Sequence, residues 1–122
     1  MSAAAAVAEK HITQGDVWLA DLDPVPGREQ AGRRPVVVIS VDALNHGHGG
    51  ISIVVPITST KRPNPIHVEL GAGVGGLKNT SYALPEMVRA ISQDRLAKRW
   101  GALDRTELVQ IIRRVRTLTR AA

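Results

Sequence analysis

Four β-branched residues in a row, Val36-Val37-Val38-Ile39, constrain this chain more than any other stretch. Branching at Cβ restricts the side-chain rotamers and favours an extended backbone over a helix. No polar residue interrupts the run, so both faces of the strand it forms must be covered. Residues 36–40 are therefore expected to lie inside a sheet. Immediately before them, residues 27–35 read Gly27-Arg28-Glu29-Gln30-Ala31-Gly32-Arg33-Arg34-Pro35, a stretch of two glycines, a closing proline and five charged or amide side chains. That composition predicts a loop between two strands. Charged loop residues are most often simply solvated. Here three guanidinium groups, forked donors suited to a phosphodiester, surround one carboxylate, so the loop is also a candidate site.

The rest of the chain is read against this buried strand. Residues 16–22 are apolar on both faces, as a central strand would be, and end at Asp23-Pro24-Val25-Pro26-Gly27. Residues 41–50 loosen into Asn45-His46-Gly47-His48-Gly49-Gly50, which reads as a flexible turn. Residues 51–57 form a strand containing Pro56, which suits an edge or a bulge. Residues 58–65 are a second polar, basic loop. Residues 66–70 alternate, with Ile66, Val68 and Leu70 inward and His67 and Glu69 outward. Four glycines make residues 71–79 another loop. Short strands at 80–84 and 87–91, one helical turn at 92–96 and a last strand at 98–103 complete the β region.

Asp104 then opens a helix. Asp104-Arg105-Thr106-Glu107 has capping-box spacing, and Leu108, Ile111, Ile112, Val115 and Leu118 follow as an apolar stripe. Arg113, Arg114, Arg116 and Arg120 make the other face basic, as a solvated face would be. Several short strands followed by one packing helix predict an α+β domain with a small, strongly bent antiparallel sheet.

A chain of 122 residues has room for one domain, expected over 15–122, with 1–14 as a flexible, Ala-rich tail without the features of an export signal. The absence of cysteine excludes disulfides and thiolate metal sites. The net charge of +5 favours a polyanionic partner, nucleic acid first and an acidic protein second. Trp18, Tyr82 and Trp100 are the only aromatic residues, which disfavours folds that grip single strands mainly by stacking. His46 and His48 have no neighbouring carboxylate or thiolate and read as part of a polar loop before a metal pair. Motifs of nucleotide hydrolases, serine hydrolases and zinc proteases are missing. One remaining reaction needs neither metal nor cysteine: cleavage of RNA by its own 2′-hydroxyl, which asks for a base, a donor to the leaving oxygen and cations at phosphorus.

Several segments together resemble the MazF/PemK toxins, the endoribonuclease halves of bacterial toxin–antitoxin pairs. They are Gly15-Asp16-Val17-Trp18, Asp21-Leu22-Asp23-Pro24-Val25, Glu29-Gln30-Ala31-Gly32-x-Arg34-Pro35 and Val55-Pro56-Ile57-Thr58-Ser59. The resemblance covers about residues 15–120. It implies an SH3-like barrel with a C-terminal helix (the MazF/CcdB type) and a cytoplasmic homodimer. It further implies cleavage of single-stranded RNA at a short sequence, with no metal or other cofactor, leaving a 2′,3′-cyclic phosphate and a 5′-hydroxyl. A cognate acidic, MazE-like antitoxin is the implied protein partner. By position, Arg34 and Thr58 match the family's catalytic Arg and Thr, and Glu29 a Glu proposed as base. Arg28, Gln30 and Arg33 fall in the RNA-contacting loop, with Ser59, Lys61, Arg62 and His67 as further RNA-binding candidates. Glu86 and Arg89 match residues near the recognised bases. Met87 replaces a usual Gln and Val41 a common Ser, departures that bear on the sequence recognised. Two rival readings are a CcdB-like gyrase poison and a non-catalytic RNA-binding module. The first lacks its terminal Trp-Gly-Ile here, because Trp100-Gly101 is internal; the second would lack Glu29, Arg34 or Thr58, and all three are present.

Overall fold

The computed structural model describes residues 10–22 and 32–121. Val36, Val37 and Val38 are fully buried and end strand β2 (Gly32–Val38). It follows β1 (Asp16–Leu22) and leads through the single helical turn α1 (Asp42–Asn45) into β3 (Ile51–Thr58). Then come β4 (Val68–Leu70), β5 (Ser81–Ala83), β6 (Arg89–Ser92), β7 (Leu96–Ala102) and helix α2 (Arg105–Thr119). These seven strands form one sheet in the order β4-β5-β3-β2-β1-β7, and β6 also pairs with β3. Every pairing is antiparallel. The β1–β7 register shifts at two places, as it does where a small sheet bends sharply.

Alternation along the strands sends side chains to two cores. Val17, Val37, Val55 and Ile57 face one, which α2 closes with the fully buried Ile111 and the flanking Leu108 and Val115. Trp18, Val36, Val38, Val54, Ile91 and Leu96 fill the other. The helix begins as its spacing predicts: Asp104 and Glu107 form a reciprocal capping box. Its stripe outruns the body, however, and Leu118 is exposed.

Four sequence expectations are corrected. Residues 32–35, read as loop, are the first half of β2, because the ladder with β1 extends to Leu22 opposite Gly32. Residues 10–14, read as part of a tail, pack on the body: Ile12 is buried in the second core and Lys10 Nζ donates to the carbonyls of Gln93 and Leu96. Residues 41–50 are not a loose turn. Asn45 is buried, its Oδ1 accepts from the Ser40 and Ser52 hydroxyls, and its carbonyl accepts from Gln93 Nε2.

Pro56, expected at an edge or a bulge, lies in β3, the most central strand, opposite Val36. Its tolerance there has a specific cause. The β3–β5 register, Ile57 to Ala83, continued by one residue brings Leu84 opposite Pro56. The Leu84 N–H donates to the Pro56 carbonyl at 2.9 Å, but proline has no N–H to return. The Leu84 carbonyl instead accepts from Met87 N–H at 2.9 Å, which closes the tight turn Pro85–Met87. The ladder stops, and the chain re-pairs with β3 as β6.

Two predictions follow from the 41–50 region. Asn45→Ala removes the acceptor of the Ser40 and Ser52 hydroxyls and the donor to the Ser40 carbonyl, and should lower unfolding stability in urea by about 3 kcal/mol. Asp42 accepts the Gln14 N–H at 2.8 Å, and this bond first, then Asn45 and the nearby His46 and His11, holds its carboxyl below the ordinary value of 3.8. A depressed folded-state pKa contributes stability above the unfolded value that is lost as pH falls through the folded one. Asp42→Asn should therefore lower stability at neutral pH, where the carboxylate's contribution is fully present, and flatten the stability–pH curve below about pH 4, where that contribution is lost anyway.

Candidate active site

The pairing of β2 with β3 runs Val38 to Val54, Val37 to Val55 and Val36 to Pro56. Continued for two residues, the same register brings Arg34 opposite Thr58. Thr58 in turn pairs with Tyr82 on β5, and Tyr82 with Glu69 on β4. Opposed side chains of an antiparallel pair stand on the same face. Arg34, Thr58, Tyr82 and Glu69 therefore form one row across four strands, spanning roughly 15 Å at the usual strand spacing. The row lies on the face of the second core, one step beyond its last apolar layer of Val36 and Pro56.

Within the row, Thr58 is 4% exposed, and its Oγ1 accepts the Thr60 N–H at 3.2 Å. That bond occupies a lone pair and orients the hydroxyl, whose own hydrogen goes to no other described group. Arg34 is half-buried, with Nε shielded from solvent, and its planar guanidinium carries forked donors. Arg33 does not join them. It is exposed on the opposite face, across from Asp21.

His67, expected on an outward face, in solvent or against a substrate, is instead covered. Its side chain is 5% exposed and its Nε2 meets Glu86 Oε2 at 2.6 Å. Glu86 comes within reach because the Pro85–Met87 turn folds back there. This contact assigns the ring hydrogen to Nε2, with Nδ1 buried and unbonded among the described residues. Glu86 is 34% exposed, so the histidine anchors a carboxylate that solvent still reaches. Arg89 is half-buried on β6 opposite Val54, on the face of the row but roughly 13 Å along β3 from Thr58. Ser59, Lys61 and Arg62 are exposed just beyond the end of β3. Arg28, Glu29 and Gln30 lie outside the described residues. His46 serves the fold: its Nε2 contacts the Ile12 carbonyl at 2.7 Å and its ring stacks on His11.

Tyr82 is the residue that the sequence reading missed. The strand at 80–84 is legible, but its alignment beside Thr58 depends on strand order, which no local pattern reveals.

A row of arginine and hydroxyl donors, flanked by an anchored carboxylate, is equipped to hold a phosphodiester and the base edges beside it. The model of the PemK-like, MazF-like toxins of type II toxin–antitoxin systems matches residues 13–119. The chain belongs to this family. It is 38% identical over 106 residues to Endoribonuclease MazF9 of Mycobacterium tuberculosis, covering 82% of this chain and 89% of that protein. Among solved structures, MazF of Deinococcus radiodurans superimposes with a TM-score of 0.79 at 26% identity, over 90% of this chain and 97% of that one. The same organism's MazE–MazF complex contains a chain that matches with a TM-score of 0.70 at 25% identity, covering 92% and 97%. The MazF-like fold, an antiparallel sheet of seven strands with a C-terminal helix, is thus established.

If Glu86 owes its position in this MazF-like site to His67, a His67→Phe variant should release it. Folding should survive, with stability changed by about 1–2 kcal/mol for the lost buried bond. The sequence preference of cleavage should broaden, which mapping of 5′ ends against wild type will read.

Proposed function

We propose that this chain is a toxin endoribonuclease that cuts single-stranded RNA at a short sequence by metal-independent attack of the 2′-hydroxyl. The observation that carries this reading is the row that brings Arg34 opposite Thr58, in a member of a family whose similar relative is an endoribonuclease. The 2′-oxygen bonds to phosphorus and the bond to the 5′-oxygen breaks, leaving a 2′,3′-cyclic phosphate and a 5′-hydroxyl. A carboxylate takes the 2′ proton, and Glu29 is the proposed base. Arg34 stabilises the charge that builds on the phosphorane and hydrogen-bonds to the leaving 5′-oxygen, which takes its proton from water. Thr58 donates its free hydrogen to a non-bridging oxygen. Arg28, Gln30, Ser59, Lys61 and Arg62 hold the strand, and the carboxylate of Glu86 accepts from a base amino or imino group, with Arg89 beyond it.

The proposal extends to a cytoplasmic homodimer built from a single domain over 15–122, onto which residues 10–14 pack. Its inhibitor is a cognate acidic antitoxin, supported by the MazE–MazF complex of the Deinococcus relative and by the charge of +5.

The test is incubation of the purified protein with a long single-stranded RNA in EDTA, with the new 5′ ends mapped. Cutting should persist in EDTA and cease when the 2′-hydroxyl at the cleaved position is replaced by hydrogen. Arg34→Ala should slow cutting by about 100-fold or more, the scale of losing one preorganised charge at a developing oxyanion. Thr58→Val keeps a β-branched residue in the strand and should cost about tenfold or more in kcat with little loss of stability. Inhibition of gyrase without RNA cleavage would overturn this reading in favour of the CcdB-like one.

A further inference from the structure

Of the three aromatic residues, two are absorbed by the cores. Trp18 is 6% exposed and belongs to the second core, and Trp100 packs against the first. Tyr82 belongs to neither: it is half-buried, and its hydroxyl makes no hydrogen bond among the described residues. A tyrosine buried for packing alone normally finds a partner for its hydroxyl. This one instead stands opposite Thr58, and therefore on the face that carries Thr58 and Arg34, with the exposed Glu69 on its far side. Registered partners in an antiparallel pair lie about 5 Å apart at Cα, close enough for the ring to border a phosphate held by Thr58.

We propose that the Tyr82 ring is the platform on which one RNA base, adjacent to the phosphate held by Arg34 and Thr58, stacks. The assignment rests on the proposed RNA-cleaving function and adds a binding residue to it. A sugar–phosphate unit held at Thr58 projects its base sideways along the row, and Tyr82 offers the ring face nearest to that position. Stacking tolerates any base, so Tyr82 sets affinity and register along the strand, while the carboxylate of Glu86 serves discrimination.

The test compares wild type, Tyr82→Phe and Tyr82→Leu, using cleavage kinetics and binding to an oligonucleotide made uncleavable by a 2′-deoxy substitution. Tyr82→Phe should bind and cut within about twofold of wild type, because the ring is retained. Tyr82→Leu should raise KM and Kd about tenfold or more, the usual scale for removing one base stack, with kcat little changed. An abasic nucleotide beside the cleaved position should weaken wild-type binding by a similar factor and erase the difference between wild type and Tyr82→Leu. Equal affinity of Tyr82→Leu and wild type, an equal loss in Tyr82→Phe, or a penalty that persists on the abasic strand would overturn the stacking role. Should Tyr82→Leu fail to fold, the abasic series on wild type decides alone: no loss at either flanking position overturns the proposal. Failure of wild type to cut any RNA would instead overturn the nuclease reading, a result distinct from loss of stacking because binding is measured without turnover.

Discussion

The alignment of β2 on β3 is the constraint from which the site derives. Val36, Val37 and Val38 are fully buried, and so are Val54 and Val55 on the partner strand. A slip of one residue would move every one of these side chains to the wrong core and carry Arg34 away from Thr58. The same apolar packing that stabilises the domain therefore fixes the relative position of a guanidinium and a hydroxyl near the end of the ladder. Little of the stability comes from these two polar side chains, whose strands are aligned by the core between them.

At the opposite end of these strands a buried polar cluster does comparable work. Asn45 joins Ser40, Ser52 and Gln93, and thereby ties α1 and the turn before β7 to the start of β3. The N-terminal segment closes this end through Ile12 and Lys10. Because all these groups are satisfied, the cluster specifies one arrangement of the chain rather than a range of them. The sheet is held firmly at the end remote from the candidate site.

What could be read from the sequence follows the range of the interactions involved. The valine run, the capping box at Asp104 and the alternation at Val68 and Leu70 depend on near neighbours, and each was legible. The burial of Asn45 was not, because its partner Gln93 is remote in sequence and a polar residue among glycines looks like surface. His67 was misread for a related reason: alternation identifies the face of a strand but not what covers it, and Glu86 comes from another element. Of the candidate site, Arg34 and Thr58 were legible by family resemblance, whereas their alignment with Tyr82 needed the order of the strands.

Pro56 shows how far the effect of one missing hydrogen can travel. Residues 84–88 have two rival ways to satisfy the Leu84 carbonyl: prolong the ladder along β3, or fold into a turn. An amino acid with an N–H at position 56 would sustain the first, and Glu86 would be carried along an extended strand away from His67. Proline removes that rival, so the turn forms without competition. A carboxylate beside the candidate site is thus positioned by a residue that never touches it, acting solely by declining a bond.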